Sequence, residues 1–136
     1  MNRGTYTLVI DLDRDATIEV GALGTHEFDR GWYAYTGSAF GRGGFSRVER
    51  HRELSRGEST TRHWHVDYLL GHEAARIRTV VQSPGLDAEC VIAGALPDAG
   101  IEGFGASDCS CPSHLAFHPE GPRLTRLVSI AHEDGR

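Results

Sequence analysis

The feature that most constrains the fold is a strict alternation of side chains near the start of the chain. Between residues 5 and 12, Tyr6, Leu8, Ile10 and Leu12 occupy every second position. Because successive side chains of a β-strand point to opposite faces of a sheet, this period of two predicts a strand with a buried face. We therefore expect the domain to be built around a sheet.

Two kinds of pattern divide the rest of the chain, namely β-rich runs and helical spacing. The β-rich runs predict strands at residues 17–23, 31–36, 76–82, 114–118 and 124–130, with a polar loop at 24–30. The helical spacing predicts helices at residues 45–54, 63–72 and 86–96. Ser46 and Glu49 have the spacing of a capping box at the start of the first helix. This order predicts an α+β fold, in which about three helices flank a small, mainly antiparallel sheet of three or more strands.

Length and composition indicate one domain. The chain has 136 residues, of which 39% are apolar, and this amount supports a single hydrophobic core. We expect the core at about residues 4–118 and a C-terminal strand or tail at 119–136. No run approaches the roughly 20 apolar residues of a membrane helix, and the start lacks the pattern of a secretory signal. We therefore expect a cytoplasmic protein that does not bind membranes.

The basic residues are unusual in kind and in position. All 14 are arginine, and six lie close together, namely Arg42, Arg47, Arg50, Arg52, Arg56 and Arg62. Guanidinium groups bind phosphate through two donors, so this local patch is suited to nucleic acid. The net charge of −5 weighs the other way, and a solvated helix face would explain the same patch.

Two short motifs each place a tyrosine beside a glycine on a predicted strand. They are Gly4-Thr5-Tyr6 and Tyr35-Thr36-Gly37. If the two strands are antiparallel neighbours, the two hydroxyl groups lie on one face of the sheet, a few ångströms apart. Each tripeptide alone is equally typical of simple packing, so the pair gains meaning only from the residues that follow.

Three residues on predicted helices have the chemistry of a phosphate site. Arg47 and His51 are four positions apart and share a helix face. Arginine can grip a phosphate, and histidine can donate to a bound water or take its proton. Glu89 faces either solvent or a site, and one carboxylate with phosphate oxygens and waters is a usual Mg²⁺ arrangement. Taken alone, exposure explains Glu89, and pairing with Glu49 and Glu53 explains the arginine helix.

The segment His63-Trp64-His65-Val66-Asp67 contains two further candidates. Histidines two positions apart on a helix point away from each other, so His63 and His65 are expected to make a poor metal pair. His63 and Asp67 share a face and could support the site, contact DNA or cap the helix.

The cysteines allow two interpretations. Their odd number, Cys90, Cys109 and Cys111, argues against a disulfide framework in a cytoplasmic chain. Together they could bind zinc, although their spacing matches no standard Cys-x₂-Cys pair. We therefore prefer the interpretation that residues 100–112 form a glycine-rich functional loop beside the active site.

Taken together, these residues resemble the GIY-YIG nuclease superfamily, and most closely its small stand-alone Uri-type endonucleases. The shared order is Gly-x-Tyr on a strand, Tyr-x-Gly on a later strand, Arg-x-x-x-His on the next helix and a glutamate on a later helix. The segments that carry the resemblance are residues 33–39, 47–52, 63–70, 89–90 and 103–115. The chain departs from its relatives in the longer separation of the two tyrosine motifs and in Ser38, where some relatives have lysine. It also lacks a late asparagine, for which the loop at Ser107-Asp108 is expected to substitute.

The resemblance implies a metal-dependent endonuclease that hydrolyses phosphodiester bonds in DNA according to the structure of the DNA rather than its sequence. It implies Mg²⁺ or Mn²⁺ at Glu89, stabilisation of phosphate charge by Arg47, and Tyr6 as general base with Tyr35 and His51 orienting the water. If nothing lowers the pKa of Tyr6, His51 becomes the better base.

The same resemblance assigns supporting roles. Contacts to nucleic acid are expected from Ser38, Arg42, Arg50, Arg52, His63 and His65, and support of the metal side from Ser107, Asp108 and His114. The alternative is a non-catalytic module that keeps the nuclease fold and binds DNA or RNA through the arginine helix.

Overall fold

A four-stranded antiparallel sheet forms the centre of the structure, a computed structural model that describes residues 2–41, 43–105 and 112–135. The strands in chain order are β1 (Gly4–Leu12), β2 (Ala16–Glu19), β3 (Thr25–Phe28), β4 (Gly31–Ser38), β5 (Ala75–Pro84) and β6 (Leu115–His118). The main sheet has the order β5-β1-β4-β6, and β2 and β3 form a separate two-stranded sheet. The helices are α1 (Ser46–Ser55), α2 (His65–Leu70), α3 (Glu89–Gly94) and α4 (Gly121–Asp134), and a 3-10 helix covers Gly21–Leu23. The predicted α+β class is confirmed.

Strand β1 lies in the middle of the core. Its alternating side chains Tyr6, Leu8, Ile10 and Leu12 are fully buried in one hydrophobic cluster, together with side chains of α1, α2 and the β2–β3 sheet. Val9 points to the opposite face, into a second cluster with side chains of α3 and α4. Because both faces are covered, β1 carries apolar side chains beyond the simple alternation.

The region between β1 and β4 differs from the prediction. The predicted strand at 17–23 ends at Glu19, and the predicted polar loop at 24–30 contains β3, whose partner is β2. Phe28 is buried and packs against Tyr33 and Phe104. A four-residue strand with one buried side chain has too short a pattern to be recognised from spacing alone.

The C-terminal region was predicted wrongly. Residues 124–130 are part of helix α4 (Gly121–Asp134), not a strand. Leu124, Val128 and Ala131 are buried at positions i, i+4 and i+7, which is the spacing of a helix face. The β-branched residues of this region hid that spacing, and the loss of the strand leaves β6 as the edge of the sheet.

Helix starts also differ from the prediction. Residue Phe45 occupies the position before α1, with no side-chain cap, so Ser46 and Glu49 do not form the predicted capping box. Helix α2 is shorter than predicted, and the Asp67 carboxylate accepts a hydrogen bond from the backbone N–H of Trp64 at its start. Helix α3 covers only the middle of the predicted 86–96. Within the described ranges, none of the helices has the length and apolar character to cross a membrane.

The burial of α4 against the sheet leads to a prediction about the free energy of unfolding. Replacing the fully buried Leu124 by alanine should lower the free energy of unfolding by about 2–5 kcal/mol, because a cavity remains where the side chain packed. The Ile130→Ala variant of the same helix, where the side chain is 46% exposed, should change it by less than about 1 kcal/mol. Urea denaturation followed by circular dichroism measures both, and equal effects would contradict this docking of α4.

Candidate active site

The two tyrosine motifs meet on one face of the main sheet, as predicted. In the antiparallel pairing of β1 and β4, Tyr6 lies opposite Gly37 and Leu8 lies opposite Tyr35. Tyr6 and Tyr35 are therefore diagonal neighbours on the same face, and their ring centroids are 6.4 Å apart.

The glycines of the motifs leave room for close contacts. A Cβ atom on Gly37 would lie 2.6 Å from the Tyr6 hydroxyl oxygen and 3.1 Å from the Tyr35 ring. A Cβ atom on Gly4 would overlap the carbonyl oxygen of Ser83 on β5. Gly37 thus allows the two tyrosine rings to pack closely, and Gly4 allows β1 and β5 to approach each other.

A polar cavity of about 340 Å³ opens beside Tyr35. Several of the predicted site residues line it, namely Tyr35, Ser38, Arg47, His63, His65, Glu89 and His114. These side chains come from β4, α1, the start of α2, α3 and the residue before β6. Residues that are far apart in sequence are therefore brought to one cavity.

Arg47 is held in a defined orientation at this cavity. Its Nη1 donates a hydrogen bond of 2.7 Å to the carbonyl oxygen of Ser38. Its guanidinium carbon lies 4.6 Å from the centroid of the Trp64 ring, a cation–π distance. The fixed, planar group suits the binding of a phosphate.

Tyr6 and His51 lie behind the cavity. Both are almost completely buried, and the Tyr6 hydroxyl oxygen is 2.9 Å from His51 Nε2. Burial raises the pKa of Tyr6 above its ordinary value of 10.0, while the hydrogen-bonded Arg47 guanidinium acts in the opposite direction. Burial likewise raises the pKa of Tyr35. Neither phenol is therefore a ready phenolate.

Glu89 is the first residue of α3 and faces the same cavity. Its side chain is 25% exposed, and its Oε2 lies 3.4 Å from His114 Nδ1. Among the residues that the structure describes, no group of three or more His, Cys, Asp or Glu side chains could hold a metal ion. Magnesium bound by one carboxylate, waters and phosphate oxygens needs no such group, so an accessible Glu89 in a polar cavity fits this mode of binding.

His63 and His65 do not point apart as predicted, because both line this polar cavity. Helix α2 begins only at His65, and Trp64 has extended backbone angles, so helical spacing does not apply to His63. His65 Nδ1 accepts a hydrogen bond of 2.8 Å from the Gly105 N–H, and burial lowers the pKa of His65. His65 thus ties residue 105 to the start of α2.

The two arginines predicted beside Arg47 lie in different places. Arg50 is 5.0 Å from the Trp64 centroid and lines a second cavity of about 220 Å³, on which His63 and Trp64 also border. Arg52 lines a separate cavity of about 490 Å³ near the C-terminal ends of α1 and α2. The structure therefore brings Arg50, but not Arg52, next to the candidate site.

The argument against disulfides is wrong for Cys90, which is disulfide-bonded. A disulfide sulfur is not the thiolate that zinc requires, so Cys90 offers no zinc ligand in this state. Its Sγ lies 3.7 Å from His114 Nε2. The other predicted residues Arg42, Ser107, Asp108, Cys109 and Cys111 lie outside the described residues.

The sequence did not single out Trp64, and it named Asp67 as support for the site or a helix cap without its contact to His51. Trp64 serves as a platform for two guanidinium groups. Asp67 is buried, and its Oδ1 lies 3.6 Å from His51 Nδ1. Burial alone would raise the pKa of Asp67, but His51 and the N–H groups of Trp64 and His63 lower it below its ordinary value. The contact joins α1 to α2, so no local spacing could have revealed it.

Comparison with known proteins places the chain in one family. It belongs to the family described as Domain of unknown function DUF123, which matches residues 5–136. No curated protein and no solved structure matches the chain.

The close approach at Gly37 can be tested by adding one methyl group. Gly37→Ala should lower the free energy of unfolding by about 1–3 kcal/mol, because the added Cβ displaces the rings of Tyr6 and Tyr35. Gly94→Ala is the matched control, since a Cβ there meets nothing within 4 Å. That control should be neutral or stabilising by up to about 1 kcal/mol. Thermal unfolding of both variants measures these changes. A Gly37→Ala variant as stable as the unaltered protein would contradict the described packing.

Proposed function

We propose that the protein is a GIY-YIG-like, metal-dependent endonuclease of the cytoplasm that hydrolyses phosphodiester bonds in DNA and selects DNA by structure rather than by sequence. The observation that supports this most is the meeting of Arg47, Glu89 and Tyr35 at one polar cavity. A cation, an accessible carboxylate and a hydroxyl group are the functions that phosphodiester hydrolysis needs close together.

Arg47 would stabilise the phosphate. A guanidinium group has five N–H donors, and only part of them is needed for the contacts with Ser38 and Tyr6. The remaining donors can bind the non-bridging oxygens, where negative charge grows as water attacks phosphorus. The Ser38 contact and the Trp64 ring fix the group beforehand, so little reorganisation is needed during the reaction.

Glu89 would hold the metal ion, with His114 beside its carboxylate. When bound, Mg²⁺ or Mn²⁺ supplies neutralisation of the charge on the phosphate and on the leaving oxygen. His114 lies within 3.4 Å of Oε2 and so limits the orientations open to the Glu89 carboxylate.

Tyr6 and Tyr35 would handle the attacking water. Tyr35 borders the cavity and can orient a water through its hydroxyl group. Tyr6 lies behind it and is the better placed of the two to lose a proton, since its hydroxyl oxygen is 2.9 Å from a histidine nitrogen. His51 Nε2 contacts the Tyr6 hydroxyl oxygen, so His51 would act on the water through Tyr6.

Substitution of the two charged groups tests the nuclease proposal. Glu89→Gln and Arg47→Ala should each reduce Mg²⁺-dependent cleavage by about a hundredfold or more, because each removes a group that stabilises charge in the transition state. The assay uses labelled linear, flap, fork and single-stranded DNA with Mg²⁺ or Mn²⁺, and chelation of the metal should stop cleavage. Glu49→Gln in α1 and Arg56→Ala just after it are matched controls at exposed positions and should cleave normally.

Two results would contradict the proposal. Full cleavage by Glu89→Gln would remove the metal-site assignment. Binding without cleavage of any substrate, sensitive to salt and independent of metal, would instead support the non-catalytic module.

The positions of Arg50 and Arg52 predict different effects on DNA binding. Arg50→Ala should weaken binding and reduce the slope of affinity against salt by about one ion, because Arg50 lies next to the active-site cavity. Arg52→Ala should bind like the unaltered protein, since Arg52 lines a separate cavity. Fluorescence anisotropy at several salt concentrations, with uncleaved DNA in the absence of metal, measures both. Equal losses would show that DNA also contacts the Arg52 cavity.

A further inference from the structure

A buried line of polar side chains leads from Tyr6 to helix α2. The Tyr6 hydroxyl oxygen is 2.9 Å from His51 Nε2, and His51 Nδ1 is 3.6 Å from Asp67 Oδ1. The exposed fractions of the three residues are 0%, 1% and 1%. Three elements, β1, α1 and α2, each contribute one of these groups.

His51 Nδ1 and Asp67 Oδ1 face each other, and each can supply the hydrogen-bond partner that the other requires. Among the described residues, His51 Nδ1 and Asp67 Oδ1 are both buried without a hydrogen-bond partner, which is costly unless they serve each other. A hydrogen bond between them requires an approach of only about 0.4 Å. Such bonds are often long in free enzymes and shorten when substrate binds.

The Asp67 carboxylate is held in place from its other side. Its Oδ2 accepts hydrogen bonds of 2.7 Å from the His63 N–H and 2.9 Å from the Trp64 N–H. These contacts stabilise the start of α2 and fix the direction of Oδ1 toward His51. Capping of α2 is thus one role of Asp67, and it leaves the second oxygen available for another.

We propose that Asp67 is a positioning residue that, through His51, makes Tyr6 a competent proton acceptor. This inference rests on the proposed nuclease function. A carboxylate oxygen can only accept, so it places the proton of the neutral imidazole on Nδ1 and leaves Nε2 as an acceptor for the Tyr6 hydroxyl proton. The Tyr6 oxygen is then free to accept a proton from the attacking water.

The proton movements balance within this line of residues. As the water oxygen bonds to phosphorus and the bond to the leaving oxygen breaks, the water proton passes to the Tyr6 oxygen. The Tyr6 hydroxyl proton passes at the same time to His51 Nε2, which gives an imidazolium beside the Asp67 carboxylate. The leaving oxygen takes a proton from solvent, and His51 later returns its extra proton through Tyr6 to solvent. This route needs no free phenolate of Tyr6 at any stage. That matters because burial makes the phenolate unfavourable.

The Asp67→Asn variant separates positioning from capping. The asparagine carbonyl oxygen can still accept from the two N–H groups at the start of α2. Its amide group, however, donates to His51 Nδ1 and so moves the ring proton to Nε2, where it blocks acceptance from Tyr6. The corresponding change in a hydrolase triad, in which the histidine takes the wrong tautomer, reduces kcat by about 10⁴.

The test has two independent readouts. In ¹⁵N NMR of the histidine rings, with His51 identified by its loss in His51→Gln, the unaltered protein should show the Nδ1-protonated tautomer and Asp67→Asn the Nε2-protonated tautomer. In cleavage assays, Asp67→Asn should lower kcat by about 10²–10⁴ with little change in KM, since Asp67 does not border the active-site cavity. Glu53→Gln, which removes a carboxylate from the same second cavity as Asp67, should alter neither.

The results that overturn the inference are distinct from those that overturn the nuclease proposal. An Nε2-protonated His51 in the unaltered protein would overturn the inference, and so would a normal kcat in Asp67→Asn. If the tautomer changes as expected but the unaltered protein cleaves no substrate, the positioning by Asp67 is supported and the nuclease function is not.

Discussion

The antiparallel pairing of β1 with β4 is the constraint on which the rest of the site depends. Its register sets Tyr6 opposite Gly37, so Tyr6 and Tyr35 lie on one face and their rings pack over a residue without a side chain. A slip of one residue in either strand would turn the tyrosine of that strand to the other face of the sheet. Helices α1 and α3 contribute Arg47 and Glu89 to the cavity beside Tyr35, so their contribution depends on the register that places the tyrosines.

The electrostatic problem of the site follows from this burial. Removal of Tyr6 from water disfavours its charged form, and the opposing effect of Arg47 is smaller than that of burial. A chain without lysine has few other ways to supply positive charge there. A histidine that accepts the proton, supported by a carboxylate, avoids the need for a stable phenolate. The Tyr6, His51 and Asp67 contacts have the geometry of such an arrangement.

Sequence reasoning predicted the parts of the molecule that rest on local patterns. The alternation around Tyr6 gave the central strand, and the spacing of Arg47 and His51 gave their common helix face. Three features escaped because they depend on distant contacts. The apolar face of α4 appears only once the sheet that it covers is known. Asp67 meets His51 across two helices. His63 reaches the cavity because α2 starts two residues later than its pattern indicates.

On the face of the sheet away from the candidate site, hydrogen bonds satisfy the hydroxyl groups of the buried Thr7 and Thr36. Thr7 Oγ1 lies 3.0 Å from Thr36 Oγ1 and 2.8 Å from His132 Nε2, and His132 Nδ1 lies 2.8 Å from Ser83 Oγ. One histidine of α4 therefore links β1 and β5, and through Thr7 also β4. A buried polar network is stable only when its partners are in register, so these bonds penalise any slip of the strands. Thr36, the middle residue of Tyr35-Thr36-Gly37, thus helps to fix the register of β1 and β4 from one face of the sheet. The same register places Tyr6 and Tyr35 on the other face.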